Sequence, residues 1–451
     1  MTRRIRLILT AAATLLAAAA QGGHAEIVYF ESPKAIVPTA GSSVGSSMSA
    51  VGPSLIALAW QEIRPRSATS GDIFLTVAVS TDGSAWTTTE RVADQVHYEG
   101  VTAGYEPRVY SLAVDSVNRI LLAVVVNDKQ TILFQSTDSG RHFTPSGNVS
   151  SRASIGAPLL FATEGGGFVL LLSQGSQADA AAGKGEVTLS YSQSRDGKTW
   201  SPLAPFVTDA DSILAPRLLP AHAGLKGRDY VVFEAPYSAN GAQPTSQIYL
   251  KASADSGITW DRARPLTLTS PAFGEQPAGF NNERPRLAAL PSELALSWER
   301  TKAGDNRSEI WSARLDTGGS VLGEPKKESA GAPSRFSSIL RLHGKDYVLY
   351  SDGSGQHADG TQGWSIELGE RGNPASPQPL ANVDRQFDAL FPHAVVFHDA
   401  PYVFWENSTT KGGGSVAVVR LPPVTSVGAP AVAAVDFSPG QFTNRDSATV
   451  R

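Results

Sequence analysis

The chain has no cysteine among its 451 residues. That excludes a disulfide framework, a thiolate metal or redox centre, and a lipid-attachment cysteine near the start. Charge is sparse as well: Asp, Glu, Lys and Arg make up 18% of the residues, and the formal net charge is −4. The total therefore implies no attraction to nucleic acid or to an anionic membrane. Long amphipathic helical patterns are missing, as are a glycine-rich phosphate cradle and a stripe of interleaved basic and aromatic residues. At the N terminus, Arg3, Arg4 and Arg6 precede an apolar run from Leu7 to Ala20, and Gly23-His24-Ala25 ends in a small residue. This pattern predicts a signal peptide over 1–25, cleaved after Ala25, and a secreted or periplasmic protein. The apolar core is too short to cross a bilayer comfortably, so no integral span is expected after cleavage.

Glycine and proline are plentiful, at 42 and 29 residues, which suits many short strands joined by turns. Four stretches repeat one pattern: Ser80-Thr81-Asp82-Gly83-Ser84-Ala85-Trp86, Ser136-Thr137-Asp138-Ser139-Gly140-Arg141-His142-Phe143, Ser194-Arg195-Asp196-Gly197-Lys198-Thr199-Trp200 and Ser253-Ala254-Asp255-Ser256-Gly257-Ile258-Thr259-Trp260. Their aspartates stand 56, 58 and 59 residues apart, and a fixed period of that size marks a propeller or an array. The chemistry is legible. A carboxylate two residues after a serine folds back onto backbone N–H groups, glycine supplies a positive φ, and the closing Trp or Phe anchors the turn.

Seven apolar runs follow the same period: Leu55 to Trp60, Ile120 to Val125, Phe168 to Leu172, Tyr230 to Phe233, Leu294 to Trp298, Tyr347 to Tyr350 and Tyr402 to Trp405. In most units a shorter strand opened by proline precedes the run, as at Pro107, Pro158, Pro216, Pro285 and Pro392. A third strand, the aspartate turn and a fourth strand complete a four-stranded meander. The later turns decay: Leu315-Asp316-Thr317-Gly318-Gly319 keeps Asp and Gly without an aromatic. The expectation is an all-β propeller of four-stranded blades over 26–425, seven blades in number, with six as the alternative. The seventh unit lacks an evident outer strand, and Ile27 to Phe30 is expected to close the ring there. A Ser-rich stretch from Gly41 to Ser49 precedes the repeat; within it Gly41-Ser42-Ser43-Val44-Gly45 matches a Gly-x-Ser-x-Gly nucleophile elbow, but no strand precedes it and no helix follows, so it reads as a linker. Residues 426–451 read as a linker and the start of a C-terminal β module that continues beyond Arg451.

Overlaying the units places Arg108, Arg217, Arg286 and Arg335, with His393, at the start of the first strand. It places Glu62, Asp128, Glu234, Glu299, Asp352 and Glu406, with Gln174, at the end of the second. Both rings are expected on the loop-bearing face near the axis, across the disc from the aspartate turns. They read either as a basic centre for a carboxylate or sulfate, or as Arg–acid pairs that hold the ring together. Acids outnumber arginines, which argues against a free cation. His393 and His398 face opposite ways on a strand, and Asp209-Ala210-Asp211-Ser212 reads as a solvated turn. No metal or cofactor is expected.

The repeated stretch resembles the Asp-box, or BNR repeat, of the sialidase-like superfamily. The residues Ser80, Asp82, Gly83, Trp86, Ser136, Asp138, Gly140, Phe143, Ser194, Asp196, Gly197, Trp200, Ser253, Asp255, Gly257 and Trp260 are then structural. The resemblance implies an exo-α-sialidase with an arginine triad, an aspartate acid/base and a tyrosine nucleophile. Ala59-Trp60-Gln61-Glu62-Ile63-Arg64-Pro65 resembles the segment of the second arginine, so Arg64 matches one member. Ser46 to Pro53 holds no counterpart of the first arginine, and Arg66 to Gly71 has no carboxylate at the place of the acid. In Ser334-Arg335-Phe336-Ser337-Ser338-Ile339-Leu340, Phe336 occupies the tyrosine's position and has no oxygen with which to attack. The sequence therefore favours a glycan- or protein-binding module of a larger extracytoplasmic protein. A sialidase or related glycoside hydrolase is the alternative, and a non-catalytic assembly scaffold the second.

Overall fold

A computed structural model of the chain describes residues 34–38, 43–65, 70–99, 109–126, 130–150, 157–175, 188–211, 213, 217–237, 244–267, 279–331, 333–375, 377–381, 388–408 and 414–421. The strands form seven antiparallel sheets of four, a seven-bladed propeller, and a short 3-10 turn lies at Asp209–Asp211. The inner and second strands of blades 1 to 7 are Ser43–Val51 and Ile56–Pro65, Tyr110–Val114 and Ile120–Val126, Leu159–Ala162 and Phe168–Gln174, Arg217–Leu225 and Arg228–Tyr237, Phe280–Ala289 and Leu294–Lys302, Ser334–Leu342 and Lys345–Gln356, and Asp388–Phe397 and Ala400–Ser408.

The apolar runs are continuous, not alternating, because each second strand is buried on both faces. In blade 1 the two faces separate cleanly. Leu55, Ala57 and Ala59 pack with Tyr110, Leu112 and Ile120 of blade 2, while Ile56, Leu58 and Trp60 pack with Tyr402, Phe404 and Val416 of blade 7. Side chains alternate along a strand, so one run serves two interfaces.

Two expectations are corrected. Ser43 to Gly45 is not part of a linker, since Ser43–Val51 is the inner strand of blade 1 and pairs with Ile56 to Ile63, while Gly41 and Ser42 lie outside the described residues. The ring is closed by Lys34–Pro38, which pairs with Ser415 to Val418 as the outer strand of blade 7; Ile27 to Phe30 lies outside the described residues, as do the predicted signal peptide and 426–451.

The aspartate turns work as read. Asp82 Oδ1 accepts the N–H groups of Ser84 and Ala85 at 2.7 and 2.8 Å, and Ser80 Oγ accepts Gly83 N–H at 2.8 Å. The same backbone donors hold the Asp82 carboxyl well below the usual carboxylate range, and Asp196, fed by Thr199 and Lys198 N–H, is lowered to about 2. In the two longer copies the extra residue, Ser139 or Ser256, takes a left-handed φ of 61° beside the glycine. The turns also join blades. A Cβ on Gly83 would stand 2.1 Å from the Tyr402 hydroxyl of blade 7; one on Gly140 would press Val79 of blade 1, and one on Gly257 would press Val169 of blade 3. The fifth turn, without its aromatic, still keeps Gly319 against Leu250 of blade 4.

At the other end of the blades a second device recurs. In four blades a side chain towards the end of the second strand reaches the next blade and accepts a backbone N–H at the start or the bulge of its inner strand. Gln61 takes Val109 N–H at 2.6 Å, and Glu299 takes Phe336 N–H at 2.9 Å. Glu234 takes Arg284 N–H, and Glu406 takes Ser47 N–H across the closure between blades 7 and 1. Burial pushes the Glu234 carboxyl up to about 7.

These joints give two predictions. Gly227, in an open turn at φ 74° with nothing near its Cβ position, shares the backbone conformation of Gly83 at 75°. Gly227→Ala is expected to cost about 1 kcal/mol of left-handed strain, and Gly83→Ala at least twice as much because the blade 7 contact is lost; equal urea midpoints for the two variants would contradict the interblade role. The raised carboxyl of Glu234 binds a proton in the fold that the unfolded chain releases, so its contribution is present below about pH 4.5 and lost as pH rises through 7. Glu234→Gln retains an acceptor, as Gln61 does in blade 1. It is expected to match wild type at pH 4 and to be more stable at pH 8, by on the order of 2 to 3 kcal/mol; urea titrations at the two pH values read the difference.

Candidate functional site

Strand register sorts the predicted rings. Glu234 stands opposite Arg217, Glu299 opposite Glu283 and Glu406 opposite Leu390. The same level holds Gln61 opposite Gly45 in blade 1 and Ser351 opposite Arg335 in blade 6. Glu62 and Asp352 lie one residue further on and therefore face the other side of their sheets. There Glu62 accepts Thr76 Oγ1 at 3.1 Å, and Asp352 accepts Ser334 Oγ at 3.1 Å and Ser354 N–H at 2.9 Å. The arginines split as well. Arg217 and Arg335 precede the inner-strand bulge, whereas Arg286 and His393 follow it, opposite Ser297 and Phe404. Arg286 Nη1 donates to the Pro285 carbonyl at 3.3 Å, and His393 stacks on Phe404 at 5.3 Å. Arg64 pairs in register with Asp72, which lies in the third strand of blade 1. Arg108 and Asp128 lie outside the described residues. Gln174, at the end of its second strand, is buried.

The overlay missed three residues that share one place in blades 5, 6 and 7. Arg284, Phe336 and Phe391 each begin the bulge, with left-handed φ values of 51°, 56° and 57°. Arg284 Nη1 meets Glu299 Oε2 at 2.7 Å, and its guanidinium stands 5.7 Å from the centre of the Phe336 ring. The Phe336 and Phe391 rings lie 4.1 Å apart, and Phe391 is 36% exposed. The register-shifting bulge hides this alignment from a sequence overlay, because Glu283-Arg284-Pro285-Arg286 offers two arginines and the overlay took the second. The proline fits the bulge since it has no N–H to pair.

The joint between blades 6 and 7 breaks the repeated pattern. Where blades 4, 5 and 7 carry glutamate, blade 6 has Ser351, whose buried Oγ meets no partner among the described residues. Opposite it, Arg335 is left without the acid that the overlay expected: its Nε is buried without an acceptor, and no carboxylate pairs with it among the described residues. Its guanidinium lies 5.9 Å from the Trp364 ring centre. Trp364 can lie there because Gly353 has no side chain; a Cβ on Gly353 would stand 3.0 Å from the indole. The surroundings are tied down. Asp388 Oδ1 accepts Trp364 N–H at 2.9 Å and sits 2.9 Å from His357 Nε2, which fixes the top hairpin of blade 6 to the inner strand of blade 7. A guanidinium and an indole therefore share a rigid place on the loop-bearing face, where the guanidinium's donors suit a planar carboxylate or sulfate.

Among the described residues no group of His, Asp or Glu is arranged to hold a metal ion, and no helix is long and apolar enough to cross a membrane. No family model matches the chain, and no curated protein does. Among solved structures, a Dyadobacter fermentans protein described as of unknown function aligns at 14% identity with a TM-score of 0.53, over 88% of this chain and 99% of its own. The polysaccharide lyase Uly1 aligns at 11% identity with a TM-score of 0.53, over 82% of this chain and 88% of its own. A Trypanosoma rangeli sialidase aligns at 12% identity over 89% of this chain and 59% of its own, but its TM-score of 0.39 carries no argument. At such identities the first two likenesses speak for the fold alone: this chain is a β-propeller of four-stranded blades.

Proposed function

We propose that the protein is an exported Asp-box propeller of the sialidase-like superfamily. It binds an acidic glycan at the joint of blades 6 and 7, as one module of a larger extracytoplasmic protein. The observation that carries this reading is the Arg335 guanidinium, set beside Trp364 at 5.9 Å where the repeat would supply a glutamate and blade 6 has Ser351. A sugar carboxylate or sulfate takes the place of that acid, and the indole offers an apolar surface to the sugar ring. Polysaccharide chemistry in a structural neighbour, the lyase Uly1, fits a carbohydrate ligand without bearing on catalysis. Binding rather than hydrolysis is favoured because Phe336 holds the nucleophile's position and its ring rests against Phe391 at 4.1 Å. The repeated turns, with Ser Oγ and backbone N–H groups folded onto aspartate, fit the Asp-box assignment.

Two substitutions test the reading against calorimetric titration with sialyllactose and with a glucuronate-containing oligosaccharide. Arg335→Ala is expected to weaken binding by about tenfold or more, the loss of one charge-assisted contact. Ser351→Glu restores the repeat's acid, so it is expected to abolish binding while leaving the thermal midpoint unchanged or higher. Unaltered binding in both variants would sink the proposal, and so would turnover of a fluorogenic sialoside that Arg64→Ala abolishes.

A further inference from the structure

A cavity of about 310 Å³ lies away from the axis, between the outer half of blade 3 and the aspartate turn of blade 4. Three of its lining residues form walls at steep angles: Phe206 and Trp260 meet at 5.0 Å and 69°, Tyr191 and Trp260 at 6.3 Å and 80°, and Tyr191 and Phe206 at 6.1 Å and 76°. Between them is Lys251, whose side chain is 4% exposed. Its Nζ donates to the Phe206 carbonyl at 2.7 Å and to Asp211 Oδ2 at 2.9 Å. An ammonium has three N–H donors, and among the described residues the third has no acceptor.

This place departs from the repeat. Four residues before the turn aspartate, where blade 4 has Lys251, the other blades that keep that aspartate carry Ala78, Phe134, Ser192 and Ser312. The 3-10 turn at Asp209–Asp211 packs against this lysine, and it is not the solvated turn expected from sequence. Asp211 is 7% exposed, and its carboxylate also accepts Thr208 N–H at 2.8 Å and Ala263 N–H at 2.7 Å. Its acceptors are thus committed to holding the 3-10 turn on blade 4, which leaves the lysine as the polar group with capacity to spare. Thr208, Thr259, Asp261 and Arg262 are exposed and line the cavity, so it opens to solvent.

We infer that this cup is a second binding site, distinct from the joint of blades 6 and 7, and that it takes one neutral glycosyl unit. The lining charges cancel, Lys251 and Arg262 against Asp211 and Asp261, which disfavours an ionic ligand. The volume equals roughly ten waters, enough for a single pyranose. Steep aromatic walls offer apolar surface to the faces of the ring, and the spare Lys251 N–H meets a hydroxyl, the apolar lining with few fixed polar groups that small-ligand sites show. The inference does not rest on the Arg335 reading, and the two fail separately.

Saturation-transfer NMR on the full chain with methyl glucoside, methyl galactoside, methyl mannoside and glucuronic acid tests it. At least one neutral glycoside is expected to receive saturation on its ring protons. Tyr191→Ala is expected to weaken that binding by about tenfold, and Arg335→Ala to leave it unchanged. Lys251→Met should act as Tyr191→Ala does; because it strands the buried Asp211, its circular dichroism is recorded alongside, and Tyr191→Ala decides the matter if the methionine variant does not fold. Transfer to none of the neutral sugars, transfer to glucuronic acid alone, or transfer undiminished in Tyr191→Ala would each overturn the inference.

Discussion

The structure depends on the contact between one sheet and the next. Every second strand is buried on both faces, so no blade has a core of its own, and stability resides in the joints. Apolar side chains fill each joint along its length, and polar devices pin the ends of several. At one end an aspartate turn sets a bare glycine against the preceding blade, as Gly257 lies against Val169. At the other, a glutamate or glutamine accepts a backbone N–H from the following blade, as Glu299 does from Phe336. Both devices satisfy backbone groups that the turns and bulges have removed from the ladder, and buried backbone groups left unpaired are costly. The two act in opposite directions around the ring, so a blade that carries both, as blades 1, 4 and 5 do, is tied to both neighbours.

Where so much is repeated, chemistry arises at exceptions. At the joint of blades 6 and 7 a serine stands in for the acid, and Arg335 is left beside Trp364 with its buried Nε lacking an acceptor among the described residues. Before the aspartate turn of blade 4 a lysine stands where other blades carry a small or apolar residue, and the 3-10 turn at Asp209–Asp211 is folded over it. Each exception places a cation next to aromatic surface without disturbing the apolar packing below. The scaffold tolerates both because the neighbouring joints remain complete. Burial of the clip acids carries a cost of its own, visible in the raised Glu234 carboxyl. Blade 1 avoids that cost by using Gln61 for the same task.

Much of the fold was legible in the chain. The seven apolar runs all became second strands, and the Ser-x-Asp turns formed the hydrogen bonds their chemistry requires. The inner strand of blade 1 escaped notice because it is built from Ser and Gly, residues of low strand propensity that fit the crowded centre of a ring. The closing strand Lys34–Pro38 was missed because an outer strand is chosen by pairing with its neighbour, which leaves a weak side-chain signal. The site was legible only in kind. Arginines and acids were expected near the axis, but the overlay counted Glu62 and Asp352 in a ring to which Gln61 and Ser351 belong.

The amino-acid sequence by itself determined the repeat, the turn chemistry and the second strand of each blade, because each follows from local residue type and spacing. Which acids reach a neighbouring blade, which arginine lacks one, and that Asp211 is buried against Lys251 were decided only by tertiary structure. The reason is the period of two along a strand: one bulge, or one step in register, moves a side chain from one interface to the other. No local pattern reports that step, since it is set by pairing with residues distant in the chain.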